Sequence, residues 1–207
     1  MKARLLAMGG LAEERVRLAM ASLAGRDAAM VDLVLHGDEP VNQLHIEIDN
    51  RCFTLLALHQ PMAIDLRSIL AAVKINNDLE RVGDLAVNIA EAANRYVRQA
   101  PIAPAHALPH MGDIAQAMLR EALDAFLRRD TDLAQRVLDT DDELDALKTD
   151  MFGRLIQTMR DHPATIEPAL DLLLVSRHLE RIGDHATNIA EDVIFMVSAR
   201  DVRHPGP

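Results

Sequence analysis

The sequence predicts an all-α protein built as two tandem three-helix bundles related by an internal repeat. Three observations carry that prediction. The stretch LERVGDLAVNIAE, Leu79 to Glu91, returns as LERIGDHATNIAE, Leu179 to Glu191, with ten of thirteen positions identical. Hydrophobic residues make up 49% of the chain, yet there are only four Phe, one Tyr and no Trp. The apolar positions fall to Ala, Leu and Met instead, which are good helix formers. Alternating β-branched runs, the mark of half-buried strands, are absent. A length of 207 residues with a repeat offset near 100 gives two halves, each large enough to bury a core.

Glycine, proline and capping residues divide the chain. A first helix is expected over about residues 3–24, ended at Gly25-Arg26-Asp27. Asp27 can cap a second segment, which Gly37-Asp38-Glu39-Pro40 interrupts. Asp38 as N-cap with Pro40 in the first turn restarts the helix, which runs to about His59, where Pro61 ends it. A third helix follows from about Ile64 to Arg98. APIAPAHALP, Ala100 to Pro109, is the Pro-dense stretch and reads as a linker. The second half repeats the plan with helices over about 111–128, Thr131–Asp161 and Ile166–Ala199, broken at Arg129-Asp130 and Pro163. Val34-Leu35 then matches Val137-Leu138, and Asp38 matches Asp141, at an offset of 103. The expected division is residues 1–100, a linker at 101–109, and 110–207. Short connections favour antiparallel neighbours within each bundle.

Charge narrows the partners. A net charge of −10 argues against nucleic acid and suits cations or a basic protein surface. The single cysteine, Cys52, allows no intrachain disulfide, so a reducing cytoplasm is the simplest setting. No secretory leader is read at the N-terminus, and no apolar run is long enough to span a bilayer. Cys52 lies beside Phe53 in an apolar run and reads as a core residue.

On a helical wheel, Ile75, Val82, Leu85, Ala86, Ile89 and Ala93 form the core stripe of the third helix. Glu80, Asp84 and Glu91 fall on nearly the opposite side, beside Asn77 and Asn88. The second copy places Glu180, Asp184 and Glu191 likewise, with Asn188 and Asp192. These carboxylates are therefore expected to look outward. Like charges at i, i+4 oppose a helix by a few tenths of a kcal/mol. Oxygen-rich clusters of this kind suit hard cations such as Mg²⁺, Mn²⁺, Ca²⁺ or iron. Asp38/Asn42 and Asp141/Asp145 have the same spacing on the second helices, so a pair from each of two helices could surround a metal. The bland alternative is an acidic solvent-facing stripe, with Arg81 and Arg181 as counter-ions. Gly83 and Gly183, which cost a helix interior about 1 kcal/mol each relative to Ala, suggest a close helix approach beside the carboxylates. His178 and His185 bracket the second pair and could join it or be exposed polar residues. Nucleotide-binding and zinc-protease motifs are absent, and no Glu has His at i+3, which argues against a di-iron oxidase.

The chain resembles the PhoU family of bacterial phosphate signalling. The residues concerned are GDEPVNQLHIEIDNRCFTLLALHQPMAIDLRSIL (Gly37–Leu70), DLERVGDLAVNIAEAA and HLERIGDHATNIAED, in that order, with MGG near the start. The resemblance implies two tandem three-helix bundles and surface metal clusters at the repeated E/D-x-x-x-D motifs. Those would be Glu80/Asp84 and Glu180/Asp184, with Asp38/Asn42 and Asp141/Asp145 on the second helices; the wheel itself adds Asn88 and Asn188 as candidate flanking ligands. The metal would be a divalent or iron-type ion (Mg, Mn, Fe or Zn). Asn42 stands where an acid is expected, so the first site should bind metal less tightly, and Pro40 disturbs the local helix there. The implied role is regulatory: a cytoplasmic, dimeric adaptor between a phosphate ABC transporter, through its ATPase subunit, and a sensor histidine kinase, keeping phosphate-starvation genes off when phosphate is plentiful. Two other classes stay open on the residues alone, a metal-dependent hydrolase and a purely structural helical module.

Overall fold

The computed structural model describes residues 1–35, 37 and 39–202. Seven α-helices span them: α1 (Lys2–Gly25), α2 (Ala28–Leu35), α3 (Glu39–His59), α4 (Ile64–Tyr96), α5 (Leu108–Arg128), α6 (Thr131–Asp161) and α7 (Ile166–Ser198). No strand occurs among the described residues. α1, α3 and α4, with the short α2, form the first bundle, and α5, α6 and α7 form the second.

The same local devices end corresponding helices in both halves. α1 closes on Arg26 and α5 on Arg129, each left-handed at φ 52° and 56°, with the cap N–H bonded to Ser22 O or Ala125 O. The Asp that follows then opens the next helix. The Asp27 carboxylate accepts from the Ala29 N–H at 2.9 Å, and that of Asp130 from the Asp132 and Leu133 N–H groups at 3.1 and 2.9 Å. Side-chain caps of this kind contribute about 1 kcal/mol each. α3 begins at Glu39 with Pro40 in its first turn, as expected; the proposed N-cap Asp38 and the tail from residue 203 lie outside the described residues.

Two differences from the sequence reading concern the joint between halves. Ala103–Ala107 winds into a 3-10 helix, and α5 begins at Leu108 instead of near 111. The reason is Pro109. A proline in the first turn needs no N–H donor and already holds helical φ, so it starts α5 where it was expected to end a linker. In addition, the two halves pack closely. α4 and α7, each about 50 Å long, run antiparallel against one another. Arg67 Nε donates to Met196 O at 3.1 Å, Lys74 Nζ meets Asp192 at 2.7 Å, Asp78 meets His185 Nδ1 at 2.8 Å, and Arg95 Nε meets Asp171 at 2.8 Å. As one residue number rises, its partner's falls. α1 and α5 cross in the same sense. A Cβ on Gly9 would strike Leu123, and one on Gly112 would lie 3.1 Å from Met20. Gly9 corresponds to Gly112 and Met20 to Leu123, so the contact is reciprocal about a pseudo-twofold axis.

The core is aliphatic. Leu5, Met8, Val16, Ile75, Leu79 and Ile89 are fully buried in the first half, and Met111, Met118, Leu119, Phe126, Leu144 and Leu179 in the second. Cys52 is buried, as read from sequence. No helix among the described residues is long and apolar enough to cross a membrane.

Candidate functional site

In the second half, α6 and α7 bring the predicted acids together at Gly183. Because residue 183 lacks a side chain, α6 lies close over it. A Cβ there would be 2.6 Å from Leu144 Cδ2 and 3.3 Å from Asp141 Oδ1. On α7, Glu180 stands about one turn before Gly183 and Asp184 directly after it, and Asp145 stands one turn beyond Asp141 on α6. These four carboxylates are near enough to disturb one another. Burial first, and then Asp145, Asp184, Asp142 and Glu180, push the Asp141 carboxyl up to about 6. Burial, then Glu180 and Asp145, raise that of Asp184 as well, against the opposing pull of His185 and Arg181. The wheel's outward face is thus the rim of the α6–α7 seam: the Glu180 side chain is only 18% exposed.

A lysine bonds directly to the cluster. Lys148 Nζ, on α6, donates to Glu180 Oε1 at 2.9 Å, and this bond raises the lysine's pKa. The neighbouring groove, about 810 Å³, runs from these polar groups to an apolar wall of Phe152, Leu170, Leu173 and Leu174. Phe152 is 56% exposed. Nothing in the E-x-x-x-D spacing announces that wall; its signal is the unusual exposure of large apolar side chains.

In the first half, Glu80 and Asp84 flank Gly83 on α4, and Arg81 lies 3.5 Å from both. Asn42 on α3 is partly buried. Val41 occupies the place that Leu144 has in the second half, 3.5 Å from a Cβ on Gly83. The close helix approach that both glycines suggested is present at Gly183, whereas at Gly83 a Cβ would meet its neighbours at ordinary contact distance. Not foreseen is Arg15 of α1. It is buried, its Nη2 donates to Val34 O at 3.0 Å, and its Nη1 lies 3.7 Å from the Cβ position of Gly83. The sequence signal for it was a charged residue between Ala12 and Ala19 on a core-facing stripe.

The flanking candidates separate. Asn88 is exposed on α4. The Asn188 amide donates to Asp78 of the other half at 3.3 Å, and His185 bonds the same carboxylate, so both side chains belong to the seam between the repeats. His178 is partly buried, and burial, with Arg181 and Arg177, lowers its pKa.

As a donor set, Asp141, Asp145, Glu180 and Asp184 are hard oxygen ligands suited to Mg²⁺, Mn²⁺ or iron. Burial and then crowding raise the carboxyls of Asp141 and Asp184, so the cluster favours a neutralising charge. Among the described residues, no three His, Cys, Asp or Glu side chains already converge into a cage. A metal here would keep part of its water shell, as Mg²⁺ habitually does, and the Lys148 amino group would move aside from Glu180.

Asp141→Asn tests the crowding without metal. The folded-state pKa of Asp141 exceeds its unfolded value, so the carboxylate weakens the fold above about pH 6. That penalty is relieved as pH falls toward the unfolded value near 4. The amide is therefore expected to raise metal-free stability at pH 7.5 by about 1 kcal/mol, or about 2–4 °C in midpoint, after discounting for solvent screening. Thermal melts at pH 7.5 and pH 4 check this; the gain should shrink at the lower pH.

A model of the PhoU domain matches residues 5–93 and again residues 108–193. The phosphate-specific transport system accessory protein PhoU homolog of Caulobacter vibrioides (strain NA1000 / CB15N) is 40% identical over 201 residues, covering 97% of this chain and 87% of the relative. The homolog of Pseudomonas aeruginosa is also 40% identical, over 206 residues, 99% of this chain and 85% of its own length. The crystal structure of PhoU from Pseudomonas aeruginosa superposes with a TM-score of 0.93 at 39% identity, covering 96% of this chain and 95% of that one. The phosphate transport system regulatory protein PhoU from Streptococcus pneumoniae gives 0.90 at 28% identity, covering 98% and 95%.

Proposed function

As the chain belongs to the PhoU family, we propose that it is a metal-binding regulatory adaptor of phosphate homeostasis. It restrains phosphate uptake and phosphate-starvation signalling by linking the ATPase subunit of a phosphate ABC transporter to a sensor histidine kinase, on the cytoplasmic side and as a homodimer. Its relatives are named as accessory proteins of phosphate-specific transport, which supports the transport side of this reading. The observation that carries the metal side is the gathering of Asp141, Asp145, Glu180 and Asp184 at Gly183, with the Asp141 carboxyl pushed up to about 6. Bound metal supplies positive charge that offsets this crowding. The protein groups do the rest: Gly183 lets α6 approach α7, and Leu144 seals the seam beneath the acids. The rigid face of α6 and α7 then offers a partner one acidic patch beside an apolar groove.

The experiment is complementation in cells whose own copy of the gene has been deleted. Re-expressed parent chain is expected to silence a phosphate-starvation reporter at high phosphate. The variant Glu80→Gln, Asp84→Asn, Glu180→Gln, Asp184→Asn, folded by circular dichroism, is expected to leave the reporter on. Equal silencing by both would reduce the carboxylates to a solvated face. A reporter indifferent to the parent chain would place the protein outside phosphate signalling.

A further inference from the structure

The two repeats present different chemistry at their glycines. Aligning Met8-Gly9-Gly10 with Met111-Gly112-Asp113 sets Arg15 against Met118. The structure puts these residues in the same place. Arg15 Nη1 is 3.7 Å from the Cβ position of Gly83, and Met118 Cε is 3.6 Å from that of Gly183. So the slot beneath the carboxylate helix holds a guanidinium in one half and a thioether in the other. Arg15 is 5% exposed and anchored on Val34 O, whereas the Lys148 side chain that touches the second cluster is 37% exposed and can swing into water. A guanidinium stays charged at every accessible pH, so its charge in that slot is permanent. Two further substitutions fall in the same repeat: Asn42 aligns with Asp145, and Pro40 aligns with Glu143 of the unbroken α6.

We propose that Arg15 is the resident cation of the first repeat, holding beside Gly83 the charge that the second repeat leaves to an exchangeable metal ion, so that the chain takes metal through its second repeat alone. This rests on the metal reading above for the second repeat, and it departs from that reading in the first, where the residues do not fit a metal. A buried arginine beside Gly83 repels a second cation there, and Arg81, 3.5 Å from both Glu80 and Asp84, adds to that positive charge.

Equilibrium dialysis against Mn²⁺ with the full chain tests the assignment. Asp38→Asn, Glu80→Gln, Asp84→Asn is expected to leave bound Mn²⁺ unchanged, and Glu180→Gln, Asp184→Asn to abolish it. Met118→Arg should weaken Mn²⁺ binding at least tenfold. Arg15→Met should gain a second set of sites, lost again when Glu80→Gln and Asp84→Asn are added. A fall in bound Mn²⁺ on neutralising the first-repeat acids of the parent would overturn the proposal. So would an Arg15→Met protein that folds and binds no more Mn²⁺ than the parent at millimolar metal. If Arg15→Met does not fold, the Met118→Arg and carboxylate variants decide alone. A parent that binds no Mn²⁺ would sink the metal reading and with it the second-repeat half of the proposal, leaving the counter-ion role of Arg15 to be decided. Then a metal-free cycle between Arg15→Met and Asp38→Asn, Glu80→Gln, Asp84→Asn decides: non-additivity of at least tenfold in the unfolding constant upholds Arg15 as their counter-ion, and additivity overturns it.

Discussion

Mn²⁺ at a hundred times its dissociation constant is expected to raise the thermal midpoint of the parent chain by about 5–10 °C, and that of the Glu180→Gln, Asp184→Asn variant not at all. The parent's gain is the linkage energy of a ligand that binds only the folded state, about 2.7 kcal/mol at that concentration. The variant loses two of the four oxygen-rich side chains at Gly183 while keeping their shape. Its metal-free midpoint should move little, because two effects oppose one another. Neutralising Asp184 relieves a carboxylate that burial and its neighbours disfavour. Neutralising Glu180 gives up the Lys148 contact, which as a half-exposed pair is worth up to about 1 kcal/mol. Differential scanning calorimetry with and without Mn²⁺ checks both statements. A Mn²⁺ shift of equal size in parent and variant would place the metal elsewhere.

Leu144→Ala should have the largest effect on stability alone. The leucine is fully buried and lies directly over Gly183. Truncation of such a side chain costs about 2–5 kcal/mol, since the lost contacts add to the cavity left behind; a fall of about 4–20 °C in midpoint is expected. The same contact decides the effect of Gly183→Ala. In the parent, a new Cβ would sit 2.6 Å from Leu144 Cδ2, so the leucine must shift and the substitution is expected to destabilise. With Leu144→Ala already present, the nearest atoms become Asp141 Oδ1 at 3.3 Å and Met118 Cε at 3.6 Å. Gly183→Ala should then recover part of the helix propensity that glycine forgoes, about 1 kcal/mol. Gly83→Ala is the internal control. Its nearest neighbours are at 3.5 and 3.7 Å, so it is expected to stabilise in the parent background. Urea unfolding of the double-mutant cycle measures the change of sign.

Local chemistry made much of this fold legible in the sequence. Helix limits followed from Asp27, Pro61, Asp130 and Pro163 because capping and proline act on adjacent residues. The close approach at Gly183 was legible because a glycine inside a helix has few other uses. Tertiary chemistry was less accessible. A single-helix wheel assigns every polar face to solvent, so it put Glu180 outside, when α6 covers that edge and leaves its side chain 18% exposed. Asn188 looked like a flanking ligand for the same reason; only the antiparallel pairing of α4 with α7 turns its amide toward Asp78. Arg15 is not legible in the sequence, because a charged residue on an apolar stripe has no meaning until the groups from α2 and α4 that surround it are known.

The reciprocal packing of Gly9 on Leu123 and Gly112 on Met20 has an evolutionary consequence. Contacts that exchange roles about an axis are the signature of an isologous interface, where two identical subunits bury the same patch. In such a homomeric ancestor, every substitution would have appeared twice, once on each side of the axis. Fusion of two copies into one polypeptide removes that constraint. One half can then acquire an arginine, a proline and an asparagine while the other keeps its methionine and its acids. The covalent joint at Ala103–Leu108 thus lets a symmetric scaffold hold unlike residues in equivalent places.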